Sequence, residues 1–517
     1  MGKLLNTKNI YKIIAIGALA LLILGIIPLI YIGRYAHPCA DDFTYGYYTH
    51  AIWSTTKSLP QTLQWAFRQV KITYDTWQGT FSSAFLMALS PAIWGEEYYF
   101  LSPIILIGMM LVAYFSLGYV ILVKLLRTSK SIWVIISSLV IFLIIETVPS
   151  PVNAYYWYNG AVHYNFMHSC MILLFAAMLG VENGSGRVKE ILLYIAACIL
   201  SVLCGGSNYS TALIGFLGLT FLIGLKWLLG QRKLWKLLPW GIYAFSFYKN
   251  VTAFGNTIRQ SNFTQASPVK AVADSFIQGV HWSRHWFTLQ IVLFVLLLIP
   301  FLWKAMENTR FKFPVPVVVS ALSLCAISCM FTPSLYAMGG SGPDRLINII
   351  KMWFCLLLFV NEGYWLGYIR CKAAEGRPVF LHKMIQQVVQ HVKRNLIVNK
   401  GLSRKVVMTS NVGIIIYTAA ILCLLFISFI VNVETRQFDY GAYAAYVSLK
   451  AGEAQTYDRE YKERLEILNG PDKEVTLKPF SVKPWLLYFD DITEDAADWR
   501  NGAVANWYGK DSVVLGE

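Results

Sequence analysis

The sequence predicts an all-α, polytopic membrane protein with about eleven transmembrane helices. Of its 517 residues, 56% are hydrophobic and only 14% are charged, a balance outside the usual range of soluble globular domains. The apolar residues form repeated blocks, and roughly 20 such residues are needed for a helix to cross a bilayer. The lysines and arginines gather in short segments on one side of these blocks, as the positive-inside rule describes for cytoplasmic loops.

The first apolar block, residues 13–33, follows three lysines and begins the chain's membrane part. It is longer than the apolar core of a signal peptide, and no small-residue cleavage site follows it. We therefore interpret it as a retained first span, with the amino terminus in the cytoplasm.

A long external loop, residues 34–99, is expected after this span. Apolar residues within it recur at steps of three and four, which predicts a helix with Ser58 as N-cap and Pro60 in its first turn. Arg68 and Lys71 lie off the apolar stripe, so we expect this helix to lie in the membrane interface. The next apolar run, residues 80–94, is too short to span and is expected to be interfacial or re-entrant. The stripe consists of Leu59, Leu63, Phe67, Val70 and Tyr74.

The remaining predicted spans place the basic loops between them in the cytoplasm, and the longest of these is residues 370–409. We interpret that stretch as a basic amphipathic helix that anchors to the inner leaflet. The predicted transmembrane domain, residues 1–432, consists of the first span and ten further spans. The ten further spans are expected at residues 100–123, 131–148, 164–181, 190–206, 208–229, 234–248, 286–303, 314–331, 346–369 and 411–432.

Residues 433–517 are predicted to form an extracytoplasmic C-terminal α/β domain. This tail carries 10 Lys/Arg against 16 Asp/Glu, so its net charge is −6 while the whole chain is +15. Its pattern predicts a charged helix at 455–468 and strands at 475–480 and 485–489. A domain of this size has a marginal core, so we expect it to pack on the external loops.

Polar residues that the topology does not explain collect on the external side, beginning with Asp41 and Asp42. Charges close to a bilayer are costly unless they have a partner or a function. Because adjacent side chains point in different directions, one carboxylate is expected to face a pocket while the other holds it or binds a cation. A helix start beside an aromatic interface belt explains the pair equally well.

Two arginines in Gly-containing segments, Arg259 and Arg345, are candidates for binding a lipid-linked phosphate, because guanidinium groups bind phosphate in a planar, bidentate manner. Each could instead pair with a nearby acid. Further candidates for substrate binding are Trp77, Trp157, Asn159, His163 and Asn256, although the segment 155–164 also fits an aromatic belt. Acid, arginines and aromatic rings together suit sugar transfer from a polyprenyl-phosphate donor.

The chain resembles the GT-C class of membrane glycosyltransferases and, more closely, an uncharacterised bacterial family of polytopic membrane proteins. The segments that carry the resemblance are residues 40–43, 77–79, 156–160, 255–259, 499–501 and 506–509, beside the predicted topology. The resemblance implies a bacterial plasma-membrane protein whose first-loop aspartate is the catalytic base. On this basis Asp41 is assigned as base and Asp42 as its support or as a cation ligand.

The expected partners are a polyprenyl-phosphate-linked sugar, an envelope glycan acceptor and membrane lipid. A divalent metal held by Asp41 and Asp42 stays open as a cofactor, and no recognition motif supports nucleic-acid binding. The alternatives are a transporter or flippase of lipid-linked envelope precursors and a non-enzymatic envelope assembly factor. A transporter is expected to place charges and broken helices near the bilayer midplane.

Overall fold

The computed structural model describes residues 7–181, 186–228, 230, 234–375, 406–432 and 437–516. These residues form a helical protein whose single two-stranded sheet lies near the carboxyl terminus. In chain order the elements are α1 (Thr7–Ile32), α2 (Asp41–Thr56), α3 (Leu59–Thr76), α4 (Phe81–Met87), α5 (Leu101–Gly118), α6 (Lys130–Glu146), α7 (Tyr158–Ala161), α8 (Met167–Gly180), α9 (Arg187–Gly205), α10 (Tyr209–Leu228), α11 (Leu237–Val251), α12 (Phe254–Gln260), α13 (Pro268–Trp286), α14 (Leu289–Ala305), α15 (Pro316–Cys329), α16 (Thr332–Met338), α17 (Asp344–Ala374), α18 (Val406–Asn432), α19 (Gly441–Ala451), α20 (Glu453–Leu468), β1 (Glu474–Leu477), α21 (Trp499–Tyr508) and β2 (Ser512–Leu515).

Within the described residues, eight helical stretches are long and apolar enough to cross a membrane, which supports a multi-pass membrane protein. A ninth arises if α13 and α14, bent by 78° at their junction, count as one span. Two other predicted spans correspond to helices of only 17 residues (α6) and 15 residues (α11), so a total of eleven stays a prediction. The eight stretches are Asn9–Tyr35, Glu96–Leu125, Tyr158–Gly180, Arg187–Gly205, Tyr209–Leu228, Pro316–Met338, Asp344–Ala374 and Gly413–Val431.

The first helix packs along α6, and a glycine makes their close approach possible. A Cβ atom at Gly25 would lie 2.7 Å from Oε1 of Glu146, so a larger residue would displace that buried side chain. The other carboxylate oxygen of Glu146 accepts a 2.8 Å hydrogen bond from the backbone N–H of Ala442 in α19. The end of the bundle that carries residues 437–516, here called the tail side, is thereby joined to the first helix pair.

The helix predicted in the first loop is present as α3, which begins after Ser58 and has proline in its first turn. It buries its small and polar face, and the apolar stripe lies at the edge of the protein, with Val70 packed against the core and residues nearer the start of the helix exposed. Leu59 and Phe67 are 51% and 65% exposed, which suits contact with lipid. The following short run forms α4 and a 3₁₀ turn over Pro91–Trp94 instead of a full span. The buried positions of α3 are Thr62, Ala66, Gln69 and Thr73.

The tail contains the predicted charged helix, α20, and one of the two predicted strands in shortened form, β1. The strand predicted at 485–489 is wrong, because the chain turns there and the N–H of Tyr488 bonds the carbonyl of Pro484 at 2.8 Å. The partner of β1 is β2, paired in parallel with Val475 opposite Val513. Much of the predicted basic segment 370–409 lies outside the described residues.

Contacts between the tail and the first loop fix its position on the tail side. His37 Nε2 lies 3.1 Å from Asp458 Oδ1, and its ring stacks on Tyr461 with centroids 3.9 Å apart. The ring of Trp507 stacks on His50 at 4.0 Å. The tail therefore packs on the loop that carries the aspartate pair.

Candidate functional site

The aspartate pair forms the first turn of α2, directly after a tight change of direction. Ala40 has a φ of 47°, an uncommon conformation for a residue with a side chain, and it turns the chain from the first span into the helix. Both carboxylates therefore lie at a helix amino terminus, where free N–H groups and the helix dipole favour negative charge.

Asp42 is completely buried and holds the local structure together. Its Oδ2 accepts hydrogen bonds from the hydroxyl of Tyr99 at 2.6 Å and the N–H of Cys39 at 3.2 Å. Its Oδ1 accepts the N–H of Asn159 at 3.1 Å. Burial raises the pKa of Asp42 to about 7, although all three hydrogen bonds favour the ionised form. Both oxygens are occupied by donors from three segments of the chain, which is the geometry of a structural carboxylate.

Asn159 fastens the pair from the opposite side. Besides its backbone contact with Asp42, its side-chain Nδ2 donates to the backbone oxygen of Asp41 at 2.7 Å. The adjacent Gly160 makes room for Trp157, since a Cβ atom would come within 2.2 Å of the indole ring. Asn159 thus positions both aspartates through these two hydrogen bonds, whereas the sequence suggested that it binds substrate.

The Asp41 carboxylate is half-buried, and none of the described residues donates a hydrogen bond to it. Loss of solvent raises the pKa of this group, while the positive charges of Arg345 and then Arg259 lower it. The carboxylate of Asp490 in the tail raises it again. The net pKa lies above the usual value for aspartate, so the group is better suited to accept a proton than an exposed carboxylate is.

Arg259 reaches the site from α12. One of its guanidinium N–H groups donates to Oε1 of Gln78, and its guanidinium carbon lies 5.5 Å from the ring centre of Trp77. Gln78 in turn donates to the hydroxyl of Tyr45 at 3.2 Å, one turn after the aspartates. Trp77 itself is 41% exposed and leaves a ring face available for a ligand.

Asn256, predicted to bind substrate, joins the segments around Arg259. Its Oδ1 accepts the N–H of Gly79 at 2.9 Å, and its Nδ2 donates to the carbonyl of Asn250 at 2.8 Å. A Cβ atom at Gly79 would lie 1.9 Å from that same carbonyl oxygen, so no other residue fits there without backbone movement. The structure thus gives Asn256 a positioning role in this part of the site.

Arg345 approaches from the amino terminus of α17. Its guanidinium carbon lies 5.1 Å from the ring centre of Trp157 and 5.8 Å from that of Tyr164. In the described part of the chain neither Arg345 nor Arg259 forms an ion pair within 4.0 Å, and the neighbouring Asp344 does not pair with Arg345. Both guanidinium groups therefore keep donors for an anionic ligand.

A cavity of about 430 Å³ opens beside Arg259, within the size range of small-ligand sites. His163 lies in its wall, close enough for both arginines to act on it electrostatically. Its Nδ1 is buried, and no described residue forms a hydrogen bond with it. The lining residues include His163, Tyr164, Asn208, Tyr209, Asn256 and Arg259.

The tail supplies two residues that sequence reasoning missed. Phe489 stacks on Trp157 with ring centroids 3.6 Å apart and an angle of 8°, and the next residue, Asp490, acts electrostatically on Asp41. Arg500 holds the Asp490 carboxylate at 2.9 Å. A single aromatic-acid pair in a turn carries no distinctive sequence signal. Gln78 and Tyr99 were also missed, although Gln78 lies between two residues of a segment already singled out.

The residues present do not fit a divalent metal at the aspartate pair. Both oxygens of Asp42 are engaged by hydrogen-bond donors, and the positive charges of Arg345 and Arg259 already act on Asp41. Across the ranges that the structure covers, no three His, Cys, Asp or Glu side chains converge as a metal site.

No family model matches the chain, and comparison with curated proteins finds no similar sequence. The function is therefore inferred from the chemistry of the site.

Proposed function

We propose that this protein is a membrane glycosyltransferase that moves a sugar from a polyprenyl-phosphate donor to a cell-envelope glycan or lipid-linked acceptor on the external face. The observation that carries the proposal is the grouping of Asp41 with Arg259 and Arg345, two arginines without ion pairs in the described chain. A carboxylate between two such cations is suited to a reaction in which an oxygen loses a proton and a phosphate gains charge.

In the proposed reaction, the carboxylate of Asp41 accepts the proton of the acceptor hydroxyl. The hydroxyl oxygen then forms a bond to the anomeric carbon of the sugar as the bond from that carbon to the phosphate oxygen breaks. The electron pair of the broken bond stays on the polyprenyl phosphate, whose increased charge is stabilised by Arg259 and Arg345. Asp42 and Asn159 hold the base in position, and the exposed ring of Trp77 borders the sugar.

The surroundings of the three charged groups support this assignment. The cavity is lined by Arg259 and not by Asp41 or Arg345; it has the volume of a small-ligand site and combines aromatic and apolar walls with polar groups, including Tyr209 and Asn256. Asp42 is fully buried, so Asp41 is the carboxylate of the pair that can contact a substrate. The lipid surroundings expected of a polyprenyl chain agree with the long apolar helices.

One observation favours the alternative of a transporter for lipid-linked precursors. Glu362 lies well inside the long helix α17, and both of its carboxylate oxygens are buried with no hydrogen-bond partner in the part of the chain that the structure describes. Ionisable groups inside membrane spans often serve ion or proton pathways. The two functions therefore depend on different carboxylates, which makes them separable by mutation.

The test uses the full-length chain in proteoliposomes supplied with radiolabelled lipid extract and glycan from the producing cells, so that every polyprenyl-linked sugar of the cell is present. Transfer is measured as label gained by the acceptor together with release of free polyprenyl phosphate. Asp41→Asn keeps the size of the side chain but cannot accept the proton, and a rate loss on the order of 10²–10⁴ is expected. Glu362→Gln and the exposed Asp75→Asn are the matched controls and should retain transfer.

Donor binding is measured separately with a photoreactive polyprenyl phosphate, and Asp41→Asn should label as well as the unaltered protein. Absence of transfer by the unaltered chain, or an undiminished rate in Asp41→Asn, would refute the enzyme. Loss of lipid movement across the membrane in Glu362→Gln alone would instead establish transport.

A further inference from the structure

A second cavity, of about 290 Å³, lies on the tail side and shares no lining residue with the first. Its walls come from the end of α6, the bend between α13 and α14, the second turn of α17 and the start of the tail. Helix α17 borders both cavities, since Leu346 lines the first and Lys351 lines the second. Nothing in the proposed transfer reaction uses this second cavity.

The second cavity contains both hydrogen-bond donors and a hydrogen-bond acceptor. The ammonium group of Lys351 donates to the carbonyl oxygen of Thr147, which leaves two N–H donors for another acceptor. The indole N–H of Trp282 is buried and has no hydrogen-bond partner among the described residues. Asp439 lines the same cavity, and its negative charge acts on Lys351.

Aromatic rings form much of the remaining wall. Trp282 and Trp286 lie with ring centroids 5.4 Å apart, and Phe438 lines the cavity from the start of the tail. Binding sites for small molecules typically combine such apolar faces with a few fixed polar groups. Among the described residues no acceptor serves the indole N–H of Trp282, so a ligand in this cavity could supply one.

The charges select among possible ligands. An anion would be attracted by Lys351 but repelled by Asp439, and a cation would meet the opposite problem. A hydroxyl group both donates and accepts hydrogen bonds, so it can bond an ammonium, an indole N–H and a carboxylate alike. A sugar ring adds C–H faces that pack against indole rings.

We propose that this second cavity binds a neutral sugar residue. Its hydroxyl oxygens accept hydrogen bonds from Lys351 and Trp282, and one hydroxyl donates toward Asp439. The binding is independent of Asp41 and of the transfer reaction, so it can be tested even if the protein transfers no sugar.

The test is saturation-transfer NMR on the full-length chain in lipid nanodiscs, because sugar-headed detergents would compete for the cavity. The probes are glucose, galactose and N-acetylglucosamine, with glucose 6-phosphate as the charged comparison. Lys351→Met removes the ammonium and Trp282→Phe removes the indole N–H while keeping an aromatic ring. Trp499→Phe, at an exposed indole of the tail, is the matched control.

At least one neutral sugar should give a saturable signal, with affinity at least tenfold lower in Lys351→Met and in Trp282→Phe. Affinity should be unchanged in Trp499→Phe and in Asp41→Asn, which separates this site from the transfer reaction. Absence of a saturable signal with all three sugars would overturn the proposal. So would an affinity in both cavity variants equal to that of the unaltered protein. Tighter binding of glucose 6-phosphate would replace it with an anion site. A retained thermal transition in Trp282→Phe shows that a loss of binding is not a loss of folding.

Discussion

The hydroxyl of Tyr99 is expected to be the main local support of the aspartate pair, and Tyr99→Phe tests this with the removal of one oxygen atom. The hydroxyl donates to Oδ2 of Asp42 at 2.6 Å and accepts the backbone N–H of Tyr158 at 2.9 Å. The substitution therefore removes a hydrogen bond to a charged group, worth about 1.5–3 kcal/mol. It also leaves a buried N–H without a partner, at a cost of about 1–3 kcal/mol.

Phenylalanine has no hydroxyl to desolvate, which offsets part of this cost. We therefore expect the free energy of local opening to fall by about 3 kcal/mol. Since 1.4 kcal/mol corresponds to a factor of ten, the open state should become roughly a hundredfold more populated. The thiol of Cys39 reports this opening, because its N–H bonds Asp42 and the residue lies beside the pair. Burial, and then the charge of Asp42, raise the pKa of the Cys39 thiol, so it reacts slowly until the segment opens.

The assay follows alkylation of Cys39 by peptide mass spectrometry, which separates this thiol from the other cysteines. The matched control is Tyr98→Phe, which removes the same oxygen from an exposed neighbouring residue and should leave the rate unchanged. An alkylation rate in Tyr99→Phe within twofold of the unaltered protein would show that Asp42 is held by other contacts. Equal acceleration in both variants would show a general loosening of the segment.

The remaining predictions concern the phosphate site and the topology. Arg345→Lys and Arg259→Lys keep the charge but lose the planar guanidinium, so labelling by photoreactive polyprenyl phosphate should fall at least tenfold. The control Arg68→Lys, on the exposed loop helix, should leave labelling unchanged. Full labelling in both site variants would refute the phosphate site. A cysteine replacing Ala496 should react with an impermeant thiol reagent in intact cells, and a cysteine replacing Lys130 should not. The reaction of the unaltered chain is subtracted from each measurement. The reverse pattern would place the site in the cytoplasm.

Periodicity predicted the helices well because burial in a helix repeats every three to four residues. The loop helix α3 and the tail helix α20 both follow from that signal and are confirmed. Which face of α3 would be buried did not follow, since its fully buried positions are small and polar while Leu59 and Phe67 of the apolar stripe are exposed. In a lipid environment an apolar face has two favourable neighbours, lipid and protein, and periodicity alone cannot choose between them.

The tail strands were harder to predict because their pairing partner is distant in sequence. Val475 pairs with Val513, and only that pairing distinguishes β1 from the apolar stretch at 485–489. Pro484 at the head of that stretch begins a turn, which takes up the backbone groups a strand would have needed. Both segments are rich in apolar residues, so the outcome depended on tertiary contacts.

At the site, sequence identified the charged residues but could not distinguish ligand contacts from supports. Asn159 and Asn256 were predicted to bind substrate, yet each bonds the backbone of a neighbouring segment. An amide side chain offers a donor and an acceptor at fixed spacing, which suits a sugar and a backbone peptide equally well. The division within the aspartate pair had a firmer basis, because adjacent side chains on a helix cannot share one direction.

The contacts of the tail give the proposed site a wall that the membrane part lacks. Trp157 has Arg345 near its ring and Phe489 stacked on it, so the tail helps to set the position of the indole that borders the phosphate site. Asp490 adds a negative charge that raises the pKa of Asp41, and Arg500 of the tail holds this carboxylate at 2.9 Å. If the tail moved away from the loop, the pKa of Asp41 would lose this contribution and fall, and Asp41 would become a weaker proton acceptor. The contact between the tail and the loop would therefore set the strength of the base in the proposed reaction.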